Sequence, residues 1–171
     1  RRPYPLLVRP PGALAEEDFL GRCVRCGECM KVCLTGGLQP AGIEHGLEAV
    51  WTPILEPVRG YCEFDCTLCG QVCPTGAIEA LTVPEKHERV IGTAFVDPSR
   101  CLPLASGTEC IVCEEHCPTD PKAIELVPVE VLQPDGSISR VDRPVVDAEV
   151  CVGCGLCEAR SPIVALRATP A

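Results

Sequence analysis

At 171 residues the chain has the length of one compact domain or two small ones. With 4% aromatics, one Met and one Trp its apolar core is thin, so much of the folding free energy is expected to come from bound metal, and a formal charge of −9 makes nucleic acid and anionic membrane surfaces poor partners. No stretch approaches the roughly 18 apolar residues of a spanning helix, and the chain opens on Arg1 with no charged-then-apolar leader, so it is expected to be processed, trimmed or part of something longer.

In chain order, residues 1–22 read as an extended N-terminal segment ahead of a four-motif domain over 23–171. The first motif, 23–33, holds Cys23, Cys26, Cys29 and Cys33. The insertion 39–61 follows, with a short helix predicted from Ala41 to Trp51 and ended by Thr52-Pro53. It reads as packing over a metal site, or as a docking surface presented by Trp51. The second motif, 62–73, holds Cys62, Cys66, Cys69 and Cys73, and its exit through Pro74-Thr75-Gly76-Ala77-Ile78 predicts a short helix whose first turn is set by proline. Val90 to Val96 reads as a strand that turns at Asp97-Pro98-Ser99-Arg100 into the third motif, 101–117, with Cys101, Cys110, Cys113 and Cys117 and a similar exit through Pro118 to Ile124. Glu125 to Leu132 and Ser137 to Val141 alternate around Pro134-Asp135-Gly136 as a hairpin. Pro144-Val145-Val146-Asp147 reads as a further strand leading into the fourth motif, 151–161, with Cys151, Cys154, Cys157 and Ser161.

Fifteen cysteines thus form four groups, and Ser161 holds the sixteenth place. The last group runs C-x2-C-x2-C-x3-S-P, one atom away from the bacterial ferredoxin run. An iron-sulfur cube needs thiolates from different directions. A loop with cysteines about every third residue wraps three corners while its amides point at the sulfides, and the fourth cysteine serves the other cluster of a pair. Four motifs therefore make two pairs, and the chain reads as an electron carrier whose total charge, with thiolates and oxidised cores counted, falls to about −16. The fold class this implies is α+β: tandem bacterial-ferredoxin-like modules, two double-cluster folds with small hairpins and short helices around the clusters.

Rival readings fare poorly. An odd cysteine count and repeated triplets argue against a disulfide framework, and no C-x2-C pairs stand alone for zinc. The C-x3-C-x2-C stretch from Cys62 to Cys69 matches the loop of radical SAM enzymes, but it continues to Cys73-Pro74 as a ferredoxin motif and leaves no room for a barrel. No phosphate loop, nucleophile elbow or catalytic carboxylate pair stands out, so no substrate site is read. His116, between Cys113 and Cys117, is either an exposed bystander or a donor to a cluster sulfur. His45 and His87 have no ligand partners at recognisable spacing.

The opening Arg9-Pro10-Pro11-Gly12-Ala13-Leu14, with Glu16, Phe19-Leu20 and Cys23-x2-Cys26-Gly27-x-Cys29, resembles the NapG/MauM group of ferredoxin-type proteins. The similarity continues from Tyr61-Cys62 to Ile78 and through Cys110-Ile111-Val112-Cys113-Glu114-Glu115-x-Cys117-Pro118, so it covers most of the chain. The resemblance implies four 4Fe-4S clusters in a polyferredoxin subunit that relays single electrons and has no catalytic site of its own. It also implies redox protein partners, either a membrane-bound quinol-linked protein or a cytochrome, within an oxidoreductase complex. The expected place is the periplasmic side of the cytoplasmic membrane, with a cytoplasmic location as the alternative. The competing function is an iron-sulfur scaffold or assembly protein that supports a partner oxidoreductase.

Two positions depart from the group's pattern: Cys33-Leu34 stands where Cys-Pro is usual, and Ser161-Pro162 removes a ligand. Three outcomes stay open at Ser161: a serine-ligated cube, a cube completed by water or another ligand, and a 3Fe-4S cluster. Pairing stays open too. By analogy with the four-cluster subunits of molybdenum oxidoreductases, a nested arrangement is favoured. There Ser161 completes Cys23, Cys26 and Cys29; Cys33 joins Cys151, Cys154 and Cys157; Cys117 joins Cys62, Cys66 and Cys69; and Cys73 joins Cys101, Cys110 and Cys113. If neighbours pair instead, Ser161 faces Cys101, Cys110 and Cys113.

Overall fold

Ligands spaced every third residue leave little room for regular structure, and the elements are accordingly short. The computed structural model describes residues 7–132 and 136–161, together with the backbone of 166–169. The N-terminal segment, expected to be extended throughout, becomes helical as α1 (Glu16–Arg22), with Glu16, Glu17 and Asp18 in its first turn and Arg22 in its last, the polarity that suits the helix dipole. After α2 (Glu28–Lys31), β1 (Leu38–Pro40) and β2 (Pro53–Leu55) form an antiparallel ladder with Leu38 opposite Leu55.

Between those strands the helix expected over Ala41–Trp51 does not form; a single 3-10 turn at Ile43–His45 stands in its place. Gly42 and Gly46 flank that turn in non-helical conformations. The loop then closes on itself, Trp51 N–H donating to Ala41 O and Ala41 N–H to Thr52 O, both at 2.8 Å. Next come α3 (Leu68–Gln71), α4 (Val83–His87), β3 (Thr93–Val96), α5 (Leu102–Ser106) and α6 (Val112–Glu115). The two motif exits are turns rather than helices. After Cys73 the N–H of Ile78 is directed at the Cys73 sulfur at 3.4 Å, and Ile78 is extended because it bridges to Ala13. After Cys117, Thr119 Oγ1 takes the N–H of Ala123 at 2.9 Å and the chain passes straight into a strand.

That strand, β4 (Ile124–Leu132), pairs with β5 (Ile138–Val146) from Ile124↔Val146 to Leu132↔Ile138. The predicted hairpin is therefore present and longer than expected, and Pro144-Val145-Val146 is its continuation, not a separate strand. A two-stranded ladder has only edges, so it tolerates Pro128 and Pro144. Pro134 and Asp135 of the predicted turn, and Pro162 beside Ser161, lie outside the described residues. α7 (Leu156–Arg160) and β6 (Leu166–Thr169) complete the order, and β6 pairs antiparallel with β3.

Cysteines are part of the core. One apolar cluster gathers Val8, Phe19, Cys29, Leu38, Leu55, Ala77 and Ile78, with Cys23, Cys33, Cys62, Cys69 and Cys73 packed against it. A second gathers Ala94, Ala123, Ile124, Cys151 and Cys157, with Cys113 and Cys117 against it. The two halves meet where Cys62 N–H donates to Cys154 O at 2.8 Å and Ile91 N–H to Val152 O at 3.0 Å. Gly153 (φ 74°) lies so close to the backbone of Gly92 that any β-carbon would collide with it. Among the described residues no helix is long and apolar enough to cross a membrane.

Candidate metal-cluster sites

Two of the four cysteine loops are bent by local conformation before any metal is considered. In the first motif Arg25 (φ 56°) and Gly27 (φ 77°) flank Cys26 in the left-handed region, and in the fourth Gly153 and Gly155 (φ 77°) flank Cys154 in the same way. Two such residues around the middle cysteine fold the loop back, so three thiols converge and neighbouring amides turn inward. Arginine reaches this conformation only at a cost, and its side chain is tied down: Nε donates to Val50 O at 3.0 Å and a terminal nitrogen to Glu48 O at 2.9 Å. The second motif has one more residue between its first two cysteines. A single helical turn then separates the third cysteine from the fourth in every motif, as α2, α3, α6 and α7.

Three cavities are each lined by four cysteines. Cys23, Cys26 and Cys29 share theirs with Cys73, Cys62, Cys66 and Cys69 share theirs with Cys33, and Cys151, Cys154 and Cys157 share theirs with Cys117. These linings bring together cysteines of neighbouring motifs, not the sets of the nested arrangement. The reason is local: the turn after each fourth cysteine is held inside its own half, as the Ala13–Ile78 bridge and the Leu14 N–H to Ala77 O bond do for the first two motifs. Cys101, Cys110 and Cys113 are mutually coupled and form a fourth group. Ser161 ends α7, four residues after Cys157, the spacing at which Cys33, Cys73 and Cys117 follow the third cysteines of their motifs.

Burial dominates the electrostatics. It pushes the Cys29, Cys113 and Cys154 thiols up to about 11 and Cys69 to about 12, with neighbouring thiolates adding to the effect. Cys62, Cys101 and Cys157 are raised for the same reason. Cys73 goes the other way: burial raises it, but the N–H of Ile78, followed by the Thr75 N–H and hydroxyl and the Ala77 N–H, more than offset that. Most of these thiols therefore hold their protons at neutral pH until a metal displaces them.

Packing brings the groups side by side: Cys29 and Cys69 share one apolar cluster, Cys62 N–H meets Cys154 O, and Cys157 and Cys113 share the other cluster.

His116 Nδ1 lies 3.0 Å from Val112 O rather than on a sulfur, and His87 stacks on Phe64 at 4.0 Å and pairs with Asp65. Trp51 stands 63% exposed, so the packing role in the insertion falls to the buried Ala41, Ala49 and Ile54. Several supporting residues escape a search for ligands. Arg9 is buried over the Phe19 ring, bonds Glu16 at 2.9 Å, and donates to Thr52 Oγ1 and Pro53 O at 2.8 Å. Three fourth-position cysteines have a threonine hydroxyl near the sulfur, at 3.7 Å for Cys33–Thr35, 3.8 Å for Cys73–Thr75 and 3.3 Å for Cys117–Thr119. The C-x-T repeat was visible as a signal in the sequence.

All fifteen cysteines are free. Among the described residues no three His, Cys, Asp or Glu side chains converge tightly enough to hold one metal ion. Thiols grouped in fours around cavities, with amides such as Ala94 N–H directed at Cys151 Sγ at 3.4 Å, suit a polynuclear iron-sulfur group instead.

No protein-family model matches the chain. It is 39% identical over 154 residues to the methylamine utilization ferredoxin-type protein MauM of Paracoccus denitrificans, covering 88% of this chain and 65% of that protein. It is 36% identical over 152 residues to the ferredoxin-type protein NapG of Escherichia coli K12, covering 88% of this chain and 64% of NapG. The ferredoxin-type protein NapF of the same organism is 31% identical over 161 residues, 94% of this chain and 84% of NapF. The chain thus spans just under two thirds of the MauM and NapG lengths. Its cysteine loops and these relatives agree: the chain belongs to the NapG/MauM group of ferredoxin-type proteins.

Proposed function

We propose that the chain is a four-cluster relay built of two double-cluster ferredoxin modules in tandem over 23–171. The carrying observation is the set of three cavities, each lined by three cysteines of one motif and the fourth of its neighbour. When bound, 4Fe-4S groups supply one-electron acceptance and donation. The protein's own part is to fix them in the order Cys23/26/29/73, Cys33/62/66/69, Cys117/151/154/157 and Cys101/110/113, to shield them with Val8, Phe19 and Ile124, and to direct amides at their sulfurs. Ser161 completes the last group with an oxygen. A serine hydroxyl gives up its proton far less readily than a thiol, so Ser161 would hold its iron less tightly than the cysteines hold theirs.

The chain carries electrons between partners and has no substrate site of its own. Its resemblance to the NapG/MauM group supports a place on the periplasmic side of the cytoplasmic membrane, beside a membrane-bound quinol-linked protein or a cytochrome within a larger complex. The acidic balance of −9 suits redox partners with basic faces.

Pairwise removal of ligands tests the architecture. Cys26→Ala with Cys73→Ala disables one cluster and lowers the iron content by about four per chain, whereas Cys26→Ala with Cys33→Ala disables two and lowers it by about eight. Equal losses from the two pairs would rule out the neighbour pairing.

A further inference from the structure

A chain of net charge −9 that gathers fifteen thiols needs its cations in particular places. Lys86, in the last turn of α4, is 7% exposed. Its ammonium donates to the backbone carbonyls of Glu63 and Phe64, the latter at 2.9 Å, and stands beside Cys62 at the edge of one cavity. Among the described residues no carboxylate forms an ion pair with it. An ammonium buried without a carboxylate is costly, and carbonyl dipoles supply no opposite charge. Lys86 faces sulfur, and the other cation of its cavity, Arg89, pairs instead with Glu79. Lys86 lines that cavity with Cys62 and Cys154, the two cysteines whose backbones meet where the halves of the molecule join.

We propose that Lys86 is a tuning cation at this joint, holding its ammonium on the Cys62 sulfur and raising the reduction potential of the group bound by Cys33, Cys62, Cys66 and Cys69. The inference rests on the relay proposed above. Reduction adds negative charge to a site whose ligands are already anionic, and a fixed cation in a medium of low dielectric favours the reduced state. The placement is rigid: α4 is a short helix closed by a capping box in which Thr82 accepts from the Glu85 amide and Glu85 accepts from the Thr82 amide. The Cys33/62/66/69 group adjoins the Cys117/151/154/157 group, so Lys86 acts at the step where an electron passes from one half of the molecule to the other.

Lys86→Gln keeps a donor for the two carbonyls and removes the charge, while Lys86→Arg keeps the charge. EPR-monitored potentiometry of both holoproteins beside the wild type is the test. The expected result is one reduction step displaced to lower potential in Lys86→Gln, the others unmoved, and all steps near wild type in Lys86→Arg. Steps that all stay in place, or all move together, overturn the role of Lys86 while leaving the relay standing. A wild-type chain with no reducible iron overturns both. Should Lys86→Gln fail to assemble, 15N-lysine labelling of the wild type decides: one reduced signal carries 15N hyperfine coupling if Lys86 sits on the Cys62 sulfur, and no coupling on any signal overturns it.

Discussion

Arg9 shows how a single side chain can make an opening segment part of a metal site. Its guanidinium covers Phe19, pairs with Glu16 on α1 and reaches Thr52 and Pro53 of the insertion, so three segments are fastened over the core that contains Cys29. Replacing it with Ala removes several charge-assisted bonds and leaves the partly exposed Glu16 without its partner. The expected loss is about 2–3 kcal/mol of holoprotein stability. Chemical denaturation at fixed cluster content measures it, and an unchanged midpoint would show that Arg9 is not a fastener. The ligands themselves were legible in the sequence because their chemistry is written in residue type and spacing. The partners of Arg9 were not, because the 43 residues that separate it from Thr52 leave no periodic trace. Lys86 was hidden for the same reason: a lysine in an acidic chain reads as solvated until the loop at Glu63 and Phe64 is seen to close over it.

Among the elements, the hairpin and the strand before the third motif form, but with other bounds than expected: β5 absorbs the separate strand read at Pro144, and β3 begins only at Thr93. The exits after Cys73 and Cys117 carry proline at a helical first position, yet the amide of Ile78 turns to sulfur and that of Ala123 to a threonine hydroxyl. Helix propensity cannot anticipate acceptors of that kind. The insertion failed in a similar way, since Gly42 and Gly46 released the backbone where a helix was expected up to Thr52-Pro53. Gly153 is the element-scale counterpart of Arg9, because its left-handed conformation bends the fourth loop and its missing side chain admits Gly92. Gly153→Ala adds strain at positive φ to a backbone collision, so its cost should exceed about 1 kcal/mol. We expect it to lower the iron content of the Cys117/151/154/157 group, measured as iron per chain after anaerobic reconstitution. Full iron content at wild-type stability would show that the joint is looser than described.

For the molecule as a whole, the cysteine pattern disclosed the class of cofactor and the family, but the pairing of motifs was a question of topology. Analogy favoured the nested scheme, whereas short turns after each fourth cysteine keep neighbouring motifs together, with Cys73 beside Cys23, Cys26 and Cys29 and Cys33 beside Cys62, Cys66 and Cys69. The proposed order of sites along the molecule, in which the fourth motif precedes the third, was beyond any linear reading because it depends on Cys62 meeting Cys154. Most of the buried thiols are raised well above neutral pH, so the polypeptide without metal lacks both the charge pattern and the filled core of the loaded form. The relay itself is tested most directly by EPR of anaerobically purified protein, as isolated and through stepwise reduction, with iron and sulfide counted on the same sample. The account predicts about sixteen irons per chain, and reduced signals broadened by magnetic coupling between neighbouring clusters. It also predicts a three-iron signal on mild oxidation that Ser161→Cys abolishes. About eight irons or fewer, or isolated signals with no coupling at full reduction, would contradict it.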